Sequence, residues 1–200
     1  MMGATHIFIG IMSAIAVTEP NSLDGYLAAA VGGTVGGLLC DIDLKNKKRM
    51  LELVPSGRLA AGIVLCCIVL DWYLDAGMIR CVRRGDPVKL MAGTAGLILL
   101  CIWGAYQSHR GGTHSLLAVA LFGLCVELVC PVVSKALVIG MLSHLVLDLL
   151  NSKPLQLLYP LPGGYCLGLC RADGRLNRWL RIAGLWGTIL EIGICIGISL

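Results

Sequence analysis

The histidines and aspartates of this sequence fall in short motifs whose spacing suits metal binding. His144 and Asp148 are four residues apart, which places both side chains on one face of a helix. An imidazole nitrogen and a carboxylate oxygen on one face can bind the same metal ion. A second interpretation stays open, in which a hydrogen-bonded His–Asp pair only joins two helices.

Two further histidines, His109 and His114, flank a pair of glycines in the stretch SHRGGTHS. In one continuous helix their side chains would point about 140° apart, at about 100° per residue. The glycine pair predicts a break in the helix, and Thr113 or Ser115 can cap the helix that follows. We therefore expect His109 to end one helix and His114 to begin the next, with a tight turn bringing both rings together.

A pair of acids, Asp41 and Asp43, ends an earlier apolar segment in the sequence CDID. Carboxylates are unfavourable at a helix C-terminus because the helix dipole is negative there. A positive partner is therefore expected, and Lys45, Lys47 or a metal ion would serve. The two carboxylates converge only if the chain turns or extends at this point, and a solvated helix end is the alternative interpretation.

The elements that must position these residues are long and apolar. Of the 200 residues, 57% are hydrophobic and 14% are charged, whereas soluble domains carry about 25% charged residues. Spanning a bilayer takes about 20 residues, so the first two apolar segments are short. The composition predicts an all-α polytopic membrane bundle of six to seven apolar helices, in a single domain over residues 1–200. The predicted segments are Thr5–Thr18, Tyr26–Cys40, Leu59–Leu74, Leu90–Tyr106, His114–Cys130, Lys135–Leu150 and Ile182–Leu200.

One segment carries a repeated pair of small residues in the sequence GGTVGG, from Gly32 to Gly37. Small residues at four-residue spacing allow another helix to approach closely in a membrane. We expect a helix-packing surface there.

The distribution of basic residues orients the chain. With the N-terminus in the cytoplasm and all seven segments crossing, eleven basic residues fall inside and five outside, as the positive-inside rule favours. The inside residues are Lys45, Lys47, Lys48, Arg49, Arg58, Arg110, Lys153, Arg171, Arg175, Arg178 and Arg181, and the outside ones are Arg80, Arg83, Arg84, Lys89 and Lys135. This topology places His6 and every other histidine at the cytoplasmic face, together with the acids of the motifs above.

Nitrogen and oxygen ligands suit zinc, with manganese or iron as alternatives. The candidate ligands exceed the needs of one tetrahedral ion, so two divalent ions sharing a carboxylate are expected. They are His6, Asp41, Asp43, His109, His114, His144 and Asp148. A two-metal site activates water and stabilises the attacking and leaving oxygens of a phosphoester. Asp41 or Asp43 would be a ligand or proton acceptor, and Arg110 would either hold a phosphate or mark the inner face.

The order of these motifs resembles the YdjM-type inner-membrane proteins, a family described as membrane-bound metal-dependent hydrolases. The resemblance rests on Thr5-His6, the acids of CDID, HRGGTHS, SHLVLDLLN and the later LYPLP, and it covers nearly the whole chain. It implies a hydrolase in the bacterial cytoplasmic membrane. The family has Pro before the first acid, where this chain has Cys40. The spacing is more distantly similar to the zinc-dependent phospholipase C and P1 nuclease group, which implies phosphoester hydrolysis.

The longest stretch that we interpret as polar is the segment Asn151–Arg181. Its prolines and glycines exclude a regular helix. It either covers the metal site or only connects two helices. Most of the ten cysteines lie in apolar segments as small hydrophobes, and metal binding by Cys166 and Cys170 is a minor alternative.

Two functions of different classes follow. The first is a membrane-embedded, metal-dependent hydrolase of a phospholipid or lipid-linked phosphate, with its site at the cytoplasmic face. Membrane lipids are then its partners, and the net charge of +4 requires no nucleic acid; no protein partner is inferred. The alternative is a non-enzymatic metal-binding membrane protein, a transporter or an envelope factor. A transporter is expected to place polar groups at mid-membrane, so clustering at one face favours the enzyme.

Overall fold

Helices account for most of the structure. It is a computed structural model that describes residues 3–43, 47–170 and 174–199. For residues 47–53 and 195–199 it describes the backbone alone. Over these residues there are eight α-helices, so the predicted all-α architecture is confirmed. They are α1 (Gly3–Thr18), α2 (Leu23–Leu39), α3 (Lys47–Leu74), α4 (Met78–Arg83), α5 (Pro87–Tyr106), α6 (Leu116–Val129), α7 (Pro131–Leu149) and α8 (Arg175–Ser199). Short 3₁₀ helices at Cys40–Asp43 and Gly112–His114 follow α2 and precede α6.

The predicted number of six to seven apolar helices is not confirmed. Four helical stretches of the described chain are long and apolar enough to cross a membrane: Leu23–Asp43, Val54–Leu74, Pro87–Tyr106 and Pro131–Leu149. Two shorter apolar helices, Gly3–Thr18 and Leu116–Val129, fall below that length. The second predicted segment is therefore longer than expected and the fifth is shorter.

Two helices begin well before their predicted apolar segments. α3 starts at Lys47 rather than Leu59, and α8 starts at Arg175 rather than Ile182. Hydropathy marks where a helix becomes apolar, whereas lysine and arginine are themselves good helix formers. Lys45, predicted to compensate the acids of CDID, lies outside the described residues, as do Arg171 and the side chain of Lys47.

The short helix α4 was not predicted, and a buried carboxylate explains it. Asp71 near the end of α3 is 2% exposed. Its side chain accepts hydrogen bonds from the backbone N–H groups of Gly77, Met78 and Ile79, at 2.7–3.0 Å. These groups at the start of a helix have no partner within it, so Asp71 stabilises α4 and joins it to α3.

The glycine-rich surface of α2 contacts a helix on each side, as predicted. A Cβ atom on Gly37 would collide with the backbone carbonyl of His6 in α1. One on Gly36 would collide with the backbone carbonyl of Leu137 in α7. Only glycine permits both approaches, so α2 lies between α1 and α7 at close range.

This packing collects the ends of several elements at one end of the bundle. They are the start of α1, the 3₁₀ helix after α2, the turn between α5 and α6, and the last turns of α7. The segment from Leu150 to Cys170 closes the same end. Two isolated bridges, Asn151 with Cys170 and Leu155 with Tyr165, hold it in place of a helix. Its interpretation as polar is wrong for residues 154–170, which include no charged residue.

Candidate metal centre

All seven predicted ligands meet at this end of the bundle. They form three overlapping groups of donors that could hold a metal ion, and within each group the ligand atoms lie within 4.8 Å of one another. The groups are His6, His144 and Asp148; Asp41, His114 and His144; and Asp43, His109 and His114. Every member is buried except His109, which is partly exposed.

Two imidazole nitrogens stand at the middle of the cluster. His114 Nε2 and His144 Nε2 are 3.3 Å apart. Asp41 Oδ1 lies 3.7 Å from the first and 3.9 Å from the second, and Asp148 Oδ2 lies 3.8 Å from His114 Nε2. For zinc–nitrogen bonds of about 2.0–2.1 Å, the edge of a tetrahedron is about 3.3–3.4 Å. The nitrogen pair therefore has the separation of two ligands on one ion.

The tautomer of His144 follows from its second nitrogen. His144 Nδ1 is 2.8 Å from the backbone oxygen of Gly37. A carbonyl can only accept, so Nδ1 carries the hydrogen and the Nε2 of a neutral ring carries a lone pair. The glycine surface of α2 thus orients a candidate ligand, because the close approach of α2 and α7 brings the Gly37 carbonyl within reach of the ring.

Asp43 is surrounded by donors from the α5–α6 turn. Its Oδ2 accepts from the Arg110 backbone N–H at 3.0 Å and from Thr113 Oγ1 at 2.7 Å, and it lies 3.2 Å from His114 Nδ1. Its Oδ1 is 2.9 Å from His109 Nδ1. A carboxylate behind one ring nitrogen fixes the tautomer that leaves the other nitrogen free for a metal. Asp43 therefore directs His114 Nε2 towards His144.

The two acids of CDID thus contact opposite edges of a single ring. Asp41 faces His114 Nε2 and Asp43 faces His114 Nδ1. The predicted turn is the 3₁₀ helix Cys40–Asp43, which brings both carboxylates to the same ring. Cys40 has a φ of −63°, close to the value that proline fixes. Cys40 therefore has a φ that a proline at this position would also adopt.

His6 completes the buried cluster from α1. Its ring stacks on that of His144 with centroids 3.9 Å apart, and its Nε2 lies 3.7 Å from Asp148 Oδ1. His6 Nδ1 is buried and has no hydrogen-bond partner among the described residues. An unsatisfied buried polar atom is costly, so apolar packing alone does not account for this ring.

Arg110 lies in the turn itself, with a positive φ of 66°. One terminal nitrogen is 2.8 Å from Asp148 Oδ2, and the other donates to the backbone oxygen of Lys153. Arg110 is 7% exposed, and its Nε has no partner among the described residues. The uncommon backbone conformation lets the N–H of Arg110 bond Asp43 while its side chain reaches Asp148.

Charge in the cluster is unbalanced. Three buried carboxylates, of Asp41, Asp43 and Asp148, face one guanidinium among the described residues, which leaves two negative charges when the imidazoles are neutral. Burial alone would lower the pKa of His114, but its contacts with the carboxylates of Asp41 and Asp43 outweigh burial and raise the pKa to about 9. A divalent cation would supply the charge that a proton on this ring supplies otherwise.

Sequence reasoning located the turn but not all of its contacts. α5 ends at Tyr106, so His109 follows the helix rather than ending it, and His114 belongs to the short 3₁₀ helix before α6. Ser115 is the predicted cap, with its hydroxyl accepting from the Ala118 N–H at 3.1 Å. Thr113 instead donates to Asp43. In the sequence, the contact of Thr113 with Asp43 is indicated only by the position of Thr113 beside a candidate ligand in a glycine-rich turn.

The fold and the cluster together define a helical membrane protein with buried His/Asp groups that could bind a metal. The chain belongs to the YdjM inner membrane protein family, whose model matches residues 1–198. No curated protein and no solved structure shows a significant match to it.

Proposed function

We propose that this end of the bundle binds a divalent cation and hydrolyses a phosphoester. The observation that carries the proposal is the pair of Nε2 atoms of His114 and His144, 3.3 Å apart and oriented by acceptors behind both rings. Two lone pairs at that distance repel unless a proton or a cation lies between them. The excess negative charge of the surrounding carboxylates favours a divalent cation.

Five residues are the proposed ligands: His6, Asp41, His114, His144 and Asp148. Asp148 is suited to bridge two ions, because one oxygen lies 3.7 Å from His6 Nε2 and the other 3.8 Å from His114 Nε2. Asp43 and His109 form the third group, but Asp43 already accepts from donors of the turn. We assign Asp43 to orienting His114, with His109 as its partner. Zinc is the metal that this donor set fits first, and two ions remain our proposed number.

Bound metal would supply Lewis acidity towards a phosphoryl oxygen and lower the pKa of water. Asp41 lies among the proposed ligands and accepts the proton that an attacking water releases. Arg110 has five N–H donors; two nitrogens contact Asp148 and Lys153, while Nε has no partner in the part of the chain that the structure describes. Its Nε edge is the proposed contact for the phosphate of the substrate.

The side of the membrane and the substrate belong to the same proposal. Basic residues lie at the metal end, with Arg110 in the α5–α6 turn, Lys153 after α7, and Arg175 and Arg178 at the start of α8, and they favour the cytoplasmic face. A phospholipid or lipid-linked phosphate would meet the site at that interface. The likeness to the phospholipase C and P1 nuclease group has no support from solved structures, so phosphoester chemistry rests on the donor set and on Arg110.

The test is release of phosphate or of a water-soluble headgroup from phospholipid vesicles by purified protein supplied with zinc or manganese, compared with Arg110→Lys and Asp41→Asn variants. We expect turnover that a chelator abolishes. Arg110→Lys should retain bound metal but lose activity, because lysine keeps the charge without the Nε edge. Bound metal without hydrolysis of any lipid or soluble phosphoester would instead indicate a non-enzymatic metal-binding protein. Absence of metal binding would overturn both.

A further inference from the structure

The segment after Lys153, which we name the uncharged hairpin (residues 154–170), exposes apolar side chains beside the metal centre. It has 17 residues and no charge. Leu161, Leu167 and Leu169 are 63%, 62% and 71% exposed, although they belong to no helix that could span a membrane. Large exposed apolar patches of this kind mark interaction surfaces.

Backbone hydrogen bonds fix the depth of the uncharged hairpin relative to the bundle. The N–H groups of Leu167 and Cys170 donate to the carbonyls of Leu149 and Leu150, at 2.7 and 3.0 Å. Leu149 is the last residue of a helix that is long and apolar enough to span. Leu167 and Leu169 therefore lie level with the end of a spanning helix, at the boundary between hydrocarbon and headgroups, and Leu161 belongs to the same hairpin.

Exposed basic residues border the uncharged hairpin on both sides. Lys153 precedes it, and Arg175 and Arg178 follow at the start of α8. Exposed Trp179 lies next to them. Cations and tryptophan beside an apolar patch are typical of a surface that meets anionic headgroups. This pattern favours lipid over a soluble protein or a second copy of the chain.

The uncharged hairpin is tied directly to the proposed phosphate contact. The N–H of Gln156 donates to the backbone oxygen of Arg110 at 3.0 Å, and the Arg110 side chain donates to the Lys153 oxygen. The same guanidinium reaches Asp148. The hairpin therefore lies directly beside Arg110, whose Nε is buried and free of partners among the described residues.

We propose that the uncharged hairpin inserts its leucines into the membrane beside the metal centre and admits a lipid whose phosphate contacts Arg110 while its acyl chains remain in the bilayer. The identity of the substrate rests on the proposed function. The insertion itself does not, because it follows from exposure and depth alone.

The first experiment measures depth without any activity. Variants Leu161→Trp and Leu167→Trp, with Asn21→Trp in the α1–α2 turn as the matched control, are reconstituted in vesicles. The emission of each introduced tryptophan is the increase over the emission of the four native tryptophans. This increase is then quenched either with lipids brominated on their acyl chains or with acrylamide in the water. We expect the brominated lipids to remove most of the added emission at both leucine positions, and acrylamide to act mainly on the control. Quenching of all three positions by acrylamide alone would overturn the insertion.

A second experiment tests the supply of substrate. The double variant Leu167→Asp, Leu169→Asp should hydrolyse vesicle lipid at least about tenfold more slowly than wild type. Moving one leucine side chain from water into the bilayer changes the equilibrium constant for insertion by roughly a factor of ten. The rate of the double variant on a water-soluble phosphoester should not change, which also shows that it is folded. Equal losses on both substrates would contradict lipid entry at the hairpin. If wild type hydrolyses neither substrate, the proposed function fails, while the quenching result still decides the insertion.

Discussion

The two aspartates of CDID, one residue apart, should respond to the same substitution in different ways. Asp43 accepts charge-assisted hydrogen bonds from the turn, with three donors at Oδ2. Asparagine can keep its oxygen at that position, so each bond falls from a charged to a neutral one, by about 1 kcal/mol. Asp43→Asn should therefore lower the free energy of unfolding of the metal-free protein by about 3 kcal/mol.

For metal binding we expect the opposite order, with Asp41→Asn causing the larger loss of affinity and Asp43→Asn the smaller one. Asp43 acts through His114, and loss of such an orienting contact costs about 10- to 100-fold in affinity. Asp41 is a proposed ligand, so Asp41→Asn should weaken zinc binding further than Asp43→Asn does. Without metal, Asp41→Asn should cost less stability than Asp43→Asn, because the nearest imidazole nitrogen is 3.7 Å from Asp41, beyond the length of a normal hydrogen bond.

Both quantities can be measured on detergent-purified protein. Thermal unfolding, followed by tryptophan fluorescence with chelator present, should show Tm lowered by roughly 6–12 °C for Asp43→Asn, at about 2–4 °C per kcal/mol. Competition with a zinc-sensitive dye gives the affinities. Equal losses of metal-free stability in the two variants, or an unchanged Tm for Asp43→Asn, would refute the assignment of the two aspartates to different roles.

Two further predictions concern the scaffold and use the same Tm measurement. Gly36→Ala should destabilise the bundle by about 1–3 kcal/mol, because its Cβ would strike the Leu137 carbonyl, whereas Gly62→Ala, with nothing within 4 Å, should be neutral or stabilising. A similar Tm for these two variants would contradict the close packing of α2 on α7. Asp71→Ala should cost about 1–3 kcal/mol by leaving three backbone N–H groups without their acceptor. Asp75→Asn, which removes the charge from an exposed ion pair with Arg80 and suits the left-handed backbone at φ 47°, should show no measurable change, and an equal loss would refute the capping role of Asp71.

Sequence patterns predicted the ingredients of the cluster well. The four-residue spacing of His144 and Asp148 and the glycine break near His114 are local features, and local spacing determines which side of a helix or turn a residue occupies. The glycine pairs of α2 likewise predicted close packing, because small residues at four-residue spacing in a membrane helix allow another helix to approach its backbone. These motifs therefore converge in the structure as expected.

The different positions of Asp41 and Asp43 could not be predicted, because they depend on which nitrogen of the His114 ring each carboxylate contacts. His114 is far from both aspartates in the sequence. The short helix α4 was missed for a similar reason, since Asp71 caps it from the preceding helix. The extents of α3 and α8 were missed because hydropathy does not detect helical turns that are rich in basic residues. The apolar character of the uncharged hairpin is present in the sequence, which has no charged residue from 154 to 170, although prolines and glycines are more typical of polar connectors.

The most direct test of the central claim is the metal content of the purified protein after exposure to zinc and removal of the excess. Wild type and the matched control Asp75→Asn should retain at least one tightly bound ion per chain. The double variant His144→Ala, Asp148→Ala should lose it while keeping its helical circular dichroism. A wild-type protein that retains no divalent metal, or a double variant that retains as much as wild type, would contradict the proposal that these imidazoles and carboxylates form a metal centre.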